Sequence, residues 1–479
     1  MSSGVTPLYP GVREGDLNPV AIKGLSFYEP KYDWIFSLLG KAVNFQQNLS
    51  NIPLMERLRV VQLLGDVWRE KLEAGKLDWV KEELVKATGY SSALIELEMR
   101  LAGEVLNPQN IRKLFDSTLI GGSKSLEEPV EVVPGEYIRN LPAGPILVIG
   151  SGNSLIPPLI PATISLSIGN FTVLRPSLTN FRAVKEVYSE LENLPEDNFI
   201  RQALLVSYFT HESETFRGML EKAPLGVVNY WGGEPGRTVI TRAVSLNPHH
   251  PKLVVNGPMT GFAVIDSENA TKEVAERLAL EMILYEQQLC SSPTQAAFIG
   301  SYGDALEFAG TLSGALDRVG REYPLTMESI PYPLFVLRRS LELVGAKVYA
   351  SNDPRNPWTV VLNRGKSALG LLPQNAIIPL HARGRFLEII VVESLGEAME
   401  LARNLPKNPA YIGVDRVQTL SVAVSREALR EITGKLHLLG VYRVVPLGES
   451  YMRTPVEPYD GFYLAPLLSY TAYIRVRSS

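Results

Sequence analysis

Between residues 144 and 174 the chain carries no charged side chain, and this one stretch decides most of the fold. A run so apolar is either a membrane span or the interior of a parallel sheet buried on both faces. Pro157, Pro158 and Pro161 stand in its middle, and Gly150, Gly152, Asn153, Gly169 and Asn170 punctuate it. It therefore divides into strand, turn, helix and strand, a buried βαβ unit rather than a spanning helix.

The alternation continues downstream. Residues 145–149, 171–174, 203–208 and 226–230 read as strands, with helices over 160–167, 182–194 and 216–222, which predicts a parallel, doubly wound sheet. A second α/β unit follows, with strands near 252–255, 262–266, 296–299, 360–362, 389–392 and 422–424. A long amphipathic helix over 271–288 leads to Cys290. Ahead of both, Leu54, Leu58, Val61, Leu64 and Val67 are spaced for one buried helical face. Residues 1–50 read as an irregular surface arm, and 130–139 and 469–476 as exposed strands.

Composition removes whole classes of function. Forty-seven Lys and Arg against 51 Asp and Glu leave a net charge of -4, with no run of five or more like charges, so no nucleic-acid or anionic-membrane surface is indicated. The single cysteine excludes an intrachain disulfide, and five scattered histidines give no metal-ligand spacing, so no metal is expected. The N-terminus lacks the pattern of a signal peptide, and the expected setting is cytoplasmic.

Four segments can carry chemistry. Cys290 sits in Glu286-Gln287-Gln288-Leu289-Cys290-Ser291-Ser292-Pro293, a polar turn ahead of a strand. A small buried hydrophobe and a reactive thiol are both open to it, and the loop setting suits the thiol. Gly150-Ser151-Gly152-Asn153 joins a buried strand to a helix, where backbone approaches a ligand closely and Asn153 offers an amide donor. Gly232-Gly233-Glu234-Pro235-Gly236-Arg237 is a second such turn, suited to a pyrophosphate at a helix N-terminus. Arg175-Pro176-Ser177 closes the second strand, where a dinucleotide's ribose lies. Each has an ordinary structural reading as well: a tight turn, or a solvated arginine.

Together and in order, these segments resemble the aldehyde dehydrogenase superfamily, and within it the acyl-CoA reductases typified by the fatty-acid reductase of bacterial luminescence. The nucleophile motif around Cys290 carries most of the resemblance. Leu141-Pro142-Ala143-Gly144, the 169–177 segment and Asp460-Gly461 add to it. The fold this implies is α/β, aldehyde dehydrogenase-like: two doubly wound α/β domains plus a small oligomerisation sheet. The implied boundaries are an arm over 1–50, a nucleotide-binding domain over 51–255 with 129–140 as an oligomerisation strand, a catalytic domain over 256–450, and a C-terminal return and strand over 451–479. A homodimer or homotetramer is implied.

By the same resemblance, Cys290 is the nucleophile, and Asn153 with the Cys290 amide forms the oxyanion hole. Glu286 is a candidate proton-transfer group. Ser151, Gly152, Arg175, Pro176, Ser177, Gly232, Gly233 and Gly236 bind the nucleotide; for Gln287 and Gln288 two readings stay open, orienting the motif or standing solvated at a helix end. The departures matter. Where hydrolytic members carry a Glu-Leu-Gly-Gly base, this chain reads Leu253-Val254-Val255-Asn256-Gly257-Pro258. Without that carboxylate, water activation is not provided for, and a thiol is the natural partner of the acyl group. Leu178 replaces a ribose-reading glutamate and Arg175 replaces a lysine, which favours NADPH over NADH. The Gly232 turn is a residue shorter than the superfamily's, and the region of Pro379 and His381 stands in for its second ribose motif. The expected reaction is reduction of a fatty acyl-CoA to the aldehyde through an acyl-enzyme, with coenzyme A part of the substrate. A CoA-acylating dehydrogenase running oxidatively, a cysteine acyltransferase or thioesterase, and a non-catalytic scaffold are the alternatives.

Overall fold

The computed structural model describes residues 4–22 and 24–476, and the side chain of His381 lies outside that description. The chain divides into two units: Met1–Thr88 with Glu96–Asn256 and Thr454–Ser479, and Gly89–Ile95 with Gly257–Arg453. Both are α/β, as the alternating pattern requires.

The first unit opens with an antiparallel hairpin, β1 (Leu17–Ile22) and β2 (Leu25–Pro30), followed by helices Tyr32–Gly40 and Ala42–Ser50. This corrects the expectation of an irregular arm. Ile35, Leu39 and Ala42 belong to the same buried cluster as Leu147, Phe171, Val173 and Leu205, so the segment covers one face of the main sheet. Its helices are short and set among turn formers, which hid their periodicity. The layer that follows is helical as read: Leu54–Glu73, Asp78–Thr88 and Pro108–Thr118, with the helix Ser92–Val105 belonging to this unit from Glu96 onward. The first of these buries Leu54, Leu58, Val61, Leu64 and Trp68 along one face.

Residues 130–139 resolve into two strands, β3 (Val130–Val133) and β4 (Glu136–Pro142), and the main sheet follows: β5 (Ile146–Ile149), β6 (Thr172–Arg175), β7 (Leu204–Val206), β8 (Val227–Trp231) and β9 (Lys252–Asn256). All five are parallel, in the order β7-β6-β5-β8-β9. The uncharged stretch forms β5, the helix Ile156–Ile168 and β6. The helix starts four residues earlier than read because prolines in a first turn lack only amides that would be unpaired there. Its hydroxyls are satisfied internally: Ser165 Oγ lies 2.8 Å from Thr172 Oγ1 and Thr163 Oγ1 lies 2.9 Å from Tyr188 Oη. No described helix is long and apolar enough to cross a membrane.

The second unit is built on a seven-stranded sheet. Its strands are β10 (Thr260–Asp266), β11 (Pro293–Ile299), β12 (Lys347–Ala350), β13 (Thr359–Arg364), β14 (Phe386–Val392), β15 (Val417–Ala423) and β16 (Arg443–Pro446), ordered β12-β13-β14-β11-β10-β15-β16. Only the edge strand β12 runs antiparallel. Apolar clusters form on its two faces, around Phe262, Leu337 and Ile390 and around Ile265, Leu278 and Leu312. The last strand, β17 (Ser469–Arg475), belongs to the first unit and pairs antiparallel with β4, completing a three-stranded sheet β17-β4-β3. Tyr470, Tyr473 and Ile474 of β17 are exposed.

Candidate active site

In the first unit the strand order reverses between β5 and β8, the switch point at whose carboxyl side open α/β sheets bind nucleotides. Three of the segments singled out in the sequence lie at these strand ends. Ser151-Gly152-Asn153 follows β5, Arg175-Pro176-Ser177 ends β6, and the glycine turn follows β8. The first two meet: a Cβ on Gly152 would lie 2.5 Å from Thr179 Oγ1 and 2.6 Å from Ser177 Oγ, so only glycine fits.

The glycine turn leads into the helix Gly236–Ser245, beside a surface groove of about 430 Å³ lined by Glu234, Arg237, Thr238, Thr241, Arg242, Ser245 and Val255. Glu234 occupies the helix N-terminus. Its carboxylate accepts from the Thr238 amide (3.2 Å) and hydroxyl (2.8 Å) and from Arg237 Nε (2.9 Å). The Thr238 hydroxyl, with the arginine and amide, holds its pKa below the usual carboxylate range. Gly232 and Gly236 both pack on the Tyr230 hydroxyl, at 2.6 and 2.4 Å from where a Cβ would be.

Arg175 needs correcting. It is 4 % exposed, donates through Nε (3.1 Å) and Nη2 (2.8 Å) to the Phe209 carbonyl, and lies over the Tyr208 and Phe216 rings. Those bonds turn it into the first unit's interior, so it does not present a cation to a 2′-phosphate. The cations that do line the groove are Arg237 and Arg242. Arg242 carried no signal beyond being one arginine in a helix. At the ends of β8 and β9 a buried polar chain runs from Trp231 Nε1 to Asn229 Oδ1 (2.7 Å), from Asn229 to Asn256 Oδ1 (2.9 Å), and from Asn256 to Asp460 Oδ2 (3.0 Å).

The turn bearing Asn153 is tied to a buried carboxylate the sequence gave no reason to notice. Glu98 Oε1 accepts from the Ser154 hydroxyl and from the Leu155 amide at 2.7 Å, and the residue is 1 % exposed. Burial pushes its pKa up from 4.5 to about 7, against hydrogen bonds from Ser154, Leu155 and Ile156 that pull it down. A carboxyl that holds its proton more tightly folded than unfolded contributes stability below pH 4.5 that is lost as pH rises towards 7. Glu98→Gln is therefore expected to gain on the wild type across that window, by up to about 3 kcal/mol at pH 8 and by nothing at pH 4. Chemical denaturation at pH 4, 6 and 8 checks this, and a pH-independent difference would contradict it.

In the second unit the segment leading to Cys290 departs from the expected helix. The helix Lys272–Ile283, capped by the Thr271 hydroxyl, stops at Ile283. Tyr285, Glu286 and Gln287 then take left-handed backbone at φ 55°, 51° and 58°, none of them glycine. Such residues cost roughly 1–3 kcal/mol each and persist only where their surroundings hold them. Here side chains do so. Glu286 is gripped bidentately by Arg385, Oε2 from Nε at 2.9 Å and Oε1 from Nη2 at 2.7 Å. Gln287 donates to the Pro293 and Phe386 carbonyls (2.8 and 2.9 Å) and accepts from the Phe386 amide (2.5 Å), acting as an extra rung between β11 and β14. Tyr285 packs edge-on against Tyr90, whose hydroxyl donates to Gln288 Oε1 at 3.3 Å.

Cys290 lies inside a tight turn closed by the Ser292 amide on the Leu289 carbonyl (3.1 Å), and it is partly exposed. β10 presses against this turn from behind. A Cβ on Gly261 would fall 2.1 Å from the Ser291 carbonyl oxygen, and the Gly261 amide donates to Ser292 O at 2.9 Å. The carboxylate expected as a proton-transfer group is instead committed to Arg385, itself fully buried and bound also to Asn356 Oδ1 and the Tyr323 carbonyl, both at 2.6 Å. Arg385 stands far from Cys290 in sequence, outside any motif.

Two parallel-sheet units, one with a nucleotide-binding strand order and one presenting a cysteine on a constrained turn, are the makings of an aldehyde dehydrogenase-type oxidoreductase. Solved structures agree on the fold. Aldehyde dehydrogenase 21 from Physcomitrella patens, in complex with the reaction product succinate, matches with a TM-score of 0.74 at 13% identity over 99% of each chain. Lactaldehyde dehydrogenase from Escherichia coli matches at 0.67 and 14% identity, over 99% of this chain and 100% of that one. The family model described as acyl-CoA reductase (LuxC) matches residues 49–470, and the chain belongs to that family. Among curated relatives, the long-chain acyl-protein thioester reductase of Aliivibrio fischeri is 21% identical over 414 residues, 86% of this chain and 80% of its own. That of Photorhabdus luminescens is 21% identical over 445 residues, 91% and 85%.

Proposed function

We propose that the chain reduces a long-chain acyl thioester, with acyl-CoA as donor, to the fatty aldehyde through an acyl-enzyme on Cys290. The observation that carries this reading is the constrained turn: buried side chains hold left-handed backbone just ahead of a partly exposed thiol. Relatives named as acyl-protein thioester reductases support the substrate class. The Cys290 thiolate attacks the thioester carbonyl, the family resemblance gives the Asn153 amide and the Cys290 backbone N–H as the donors for the oxyanion, and the CoA thiolate leaves. A reduced nicotinamide, when bound, supplies the hydride that takes the acyl group to the aldehyde level. Cys290 then departs as thiolate when the thiohemiacetal collapses, and the aldehyde is released.

The residues of the first unit fit a nicotinamide dinucleotide. Gly232 and Gly236 let the turn pack on the Tyr230 hydroxyl, and the helix Gly236–Ser245 offers an N-terminus at which the Glu234 carboxylate already accepts an amide. NADPH is the preferred form, on the strength of Arg237 and Arg242 along the groove. Arg242→Ala is expected to raise the KM for NADPH roughly 10–100-fold and to leave that for NADH within about threefold. A homo-oligomer formed through the β17 edge completes the proposal.

The test mixes protein and NADPH with acyl-CoAs from acetyl to palmitoyl and follows nicotinamide absorbance and free thiol together. Oxidation dependent on long acyl chains supports the reading. CoA release with no NADPH oxidation would make the chain an acyltransferase or thioesterase, and turnover seen only as NADP⁺ reduction in the presence of aldehyde and CoA would favour the oxidative direction.

A further inference from the structure

We propose that Glu98 is a positioning residue for catalysis: its carboxylate fixes the 151–155 turn and so holds Asn153 in one orientation, an inference that rests on Asn153 being the oxyanion donor. The turn is held from two sides, and the division is chemical. Its acceptors are tied down by residues after β6: Asn180 Nδ2 donates to the Ser151 carbonyl (3.0 Å) and the Ser154 carbonyl (2.7 Å), and the Thr179 hydroxyl donates to the Gly152 carbonyl (2.9 Å). Its donors are tied down from the helix Ser92–Val105. Glu98 Oε1 takes the Leu155 amide and the Ser154 hydroxyl, whose oxygen in turn accepts the Ile156 amide at 3.2 Å. Asn153 stands between the two sets.

Helix capping alone does not account for Glu98. Leu155 is the N-cap of the helix Ile156–Ile168 and has no side chain able to cap it. A serine, threonine or aspartate at that one position would serve the helix. Burying a carboxylate from another helix costs more than a local cap returns. What the imported carboxylate adds is a rigid link between the turn and the Ser92–Val105 helix, and rigidity beside an oxyanion donor acts on rate, because small misplacements of a catalytic group cost up to about 100-fold.

Glu98→Ala, Glu98→Gln and Ser154→Ala are compared with Asn153→Ala, using the acyl-CoA that turns over best, with NADPH affinity read separately by nicotinamide fluorescence. Glu98→Ala is expected to lower kcat roughly 10–100-fold with KM and NADPH affinity within about threefold, and Ser154→Ala to lower it by less. Glu98→Gln, which keeps an acceptor for the Leu155 amide, is expected to restore kcat to within about threefold of wild type. Glu98→Ala in the Asn153→Ala background is expected to add little further loss. Should Glu98→Ala fail to fold, the Ser154→Ala and Glu98→Gln arms decide. A normal kcat in Glu98→Ala, or in Ser154→Ala where Glu98→Ala does not fold, beside an impaired Asn153→Ala overturns the role of Glu98 alone. Losses that multiply in the double variant do the same. An active Asn153→Ala overturns the reading beneath it.

Discussion

Cys290→Ala is expected to abolish aldehyde formation, lowering turnover by at least ~10⁴-fold, while leaving the fold and nicotinamide binding unchanged. Loss of a nucleophile in a covalent mechanism removes the intermediate itself, not one contribution among several. The substitution is structurally mild. The turn around Cys290 is closed by backbone bonds, Ser292 amide to Leu289 carbonyl and Gly261 amide to Ser292 carbonyl, and alanine keeps both. The residues fitted to the nucleotide, Gly232, Gly236, Arg237 and Arg242, all lie in the other unit. Intact mass separates chemistry from binding: wild type incubated with acyl-CoA and no reductant gains one acyl group, and Cys290→Ala gains none. With no carboxylate in Leu253–Pro258 to activate water, that adduct is expected to outlast removal of excess acyl-CoA. Turnover above ~1 % in the variant would place the nucleophile elsewhere.

The segments legible in the sequence are those whose physics is local. A strand, a glycine turn and a helix each mark composition and period over a few residues, so β5 to β8 and the turns after β5 and β8 were readable, as was the polar setting of Cys290. The strand at 252–255 is legible too but reads as part of the second unit, whereas β9 pairs with β8 in the first; nothing in its own residues names its neighbour. Properties set by distant residues were not. Arg175 looks like any cation at a strand end until Tyr208, Phe209 and Phe216 close around it. The left-handed run at Tyr285, Glu286 and Gln287 has no glycine to announce it, because its conformation is imposed by Arg385, Phe386 and Tyr90. The helix drawn through to residue 288 followed the amphipathic pattern correctly to Ile283 and then met side chains that pattern does not contain. Glu98 is one glutamate on one helix, and only the turn it meets gives it meaning.

Arg385→Met is expected to destabilise the second unit by about 3–5 kcal/mol and to lower kcat strongly, because it strands the Glu286 carboxylate and releases the turn ahead of Cys290. Burial already raises the Glu286 pKa, and Arg385 is the group that pulls it back. Without the guanidinium the folded state holds the Glu286 proton still more tightly, so the loss is largest near pH 8 and shrinks as pH falls and the carboxyl neutralises. Adding Glu286→Gln removes the stranded charge, and the double variant is expected to recover much of the stability but little of the activity. The pairing distinguishes two roles for Glu286. As a proton-transfer group, its single Glu286→Gln variant would be stable and inactive while Arg385→Met kept the chemistry wherever it stayed folded. As a clamp, either single change displaces the same left-handed residues, so both lose kcat, with Glu286→Gln the milder of the two because its amide oxygen still accepts from Arg385. Guanidinium denaturation of the three variants at pH 5 and 8, with the acylation rate of Cys290 measured by quenched mass spectrometry under conditions where each is folded, separates the outcomes. The geometry supports the clamp, since the carboxylate's bonds to Arg385 occupy both its oxygens.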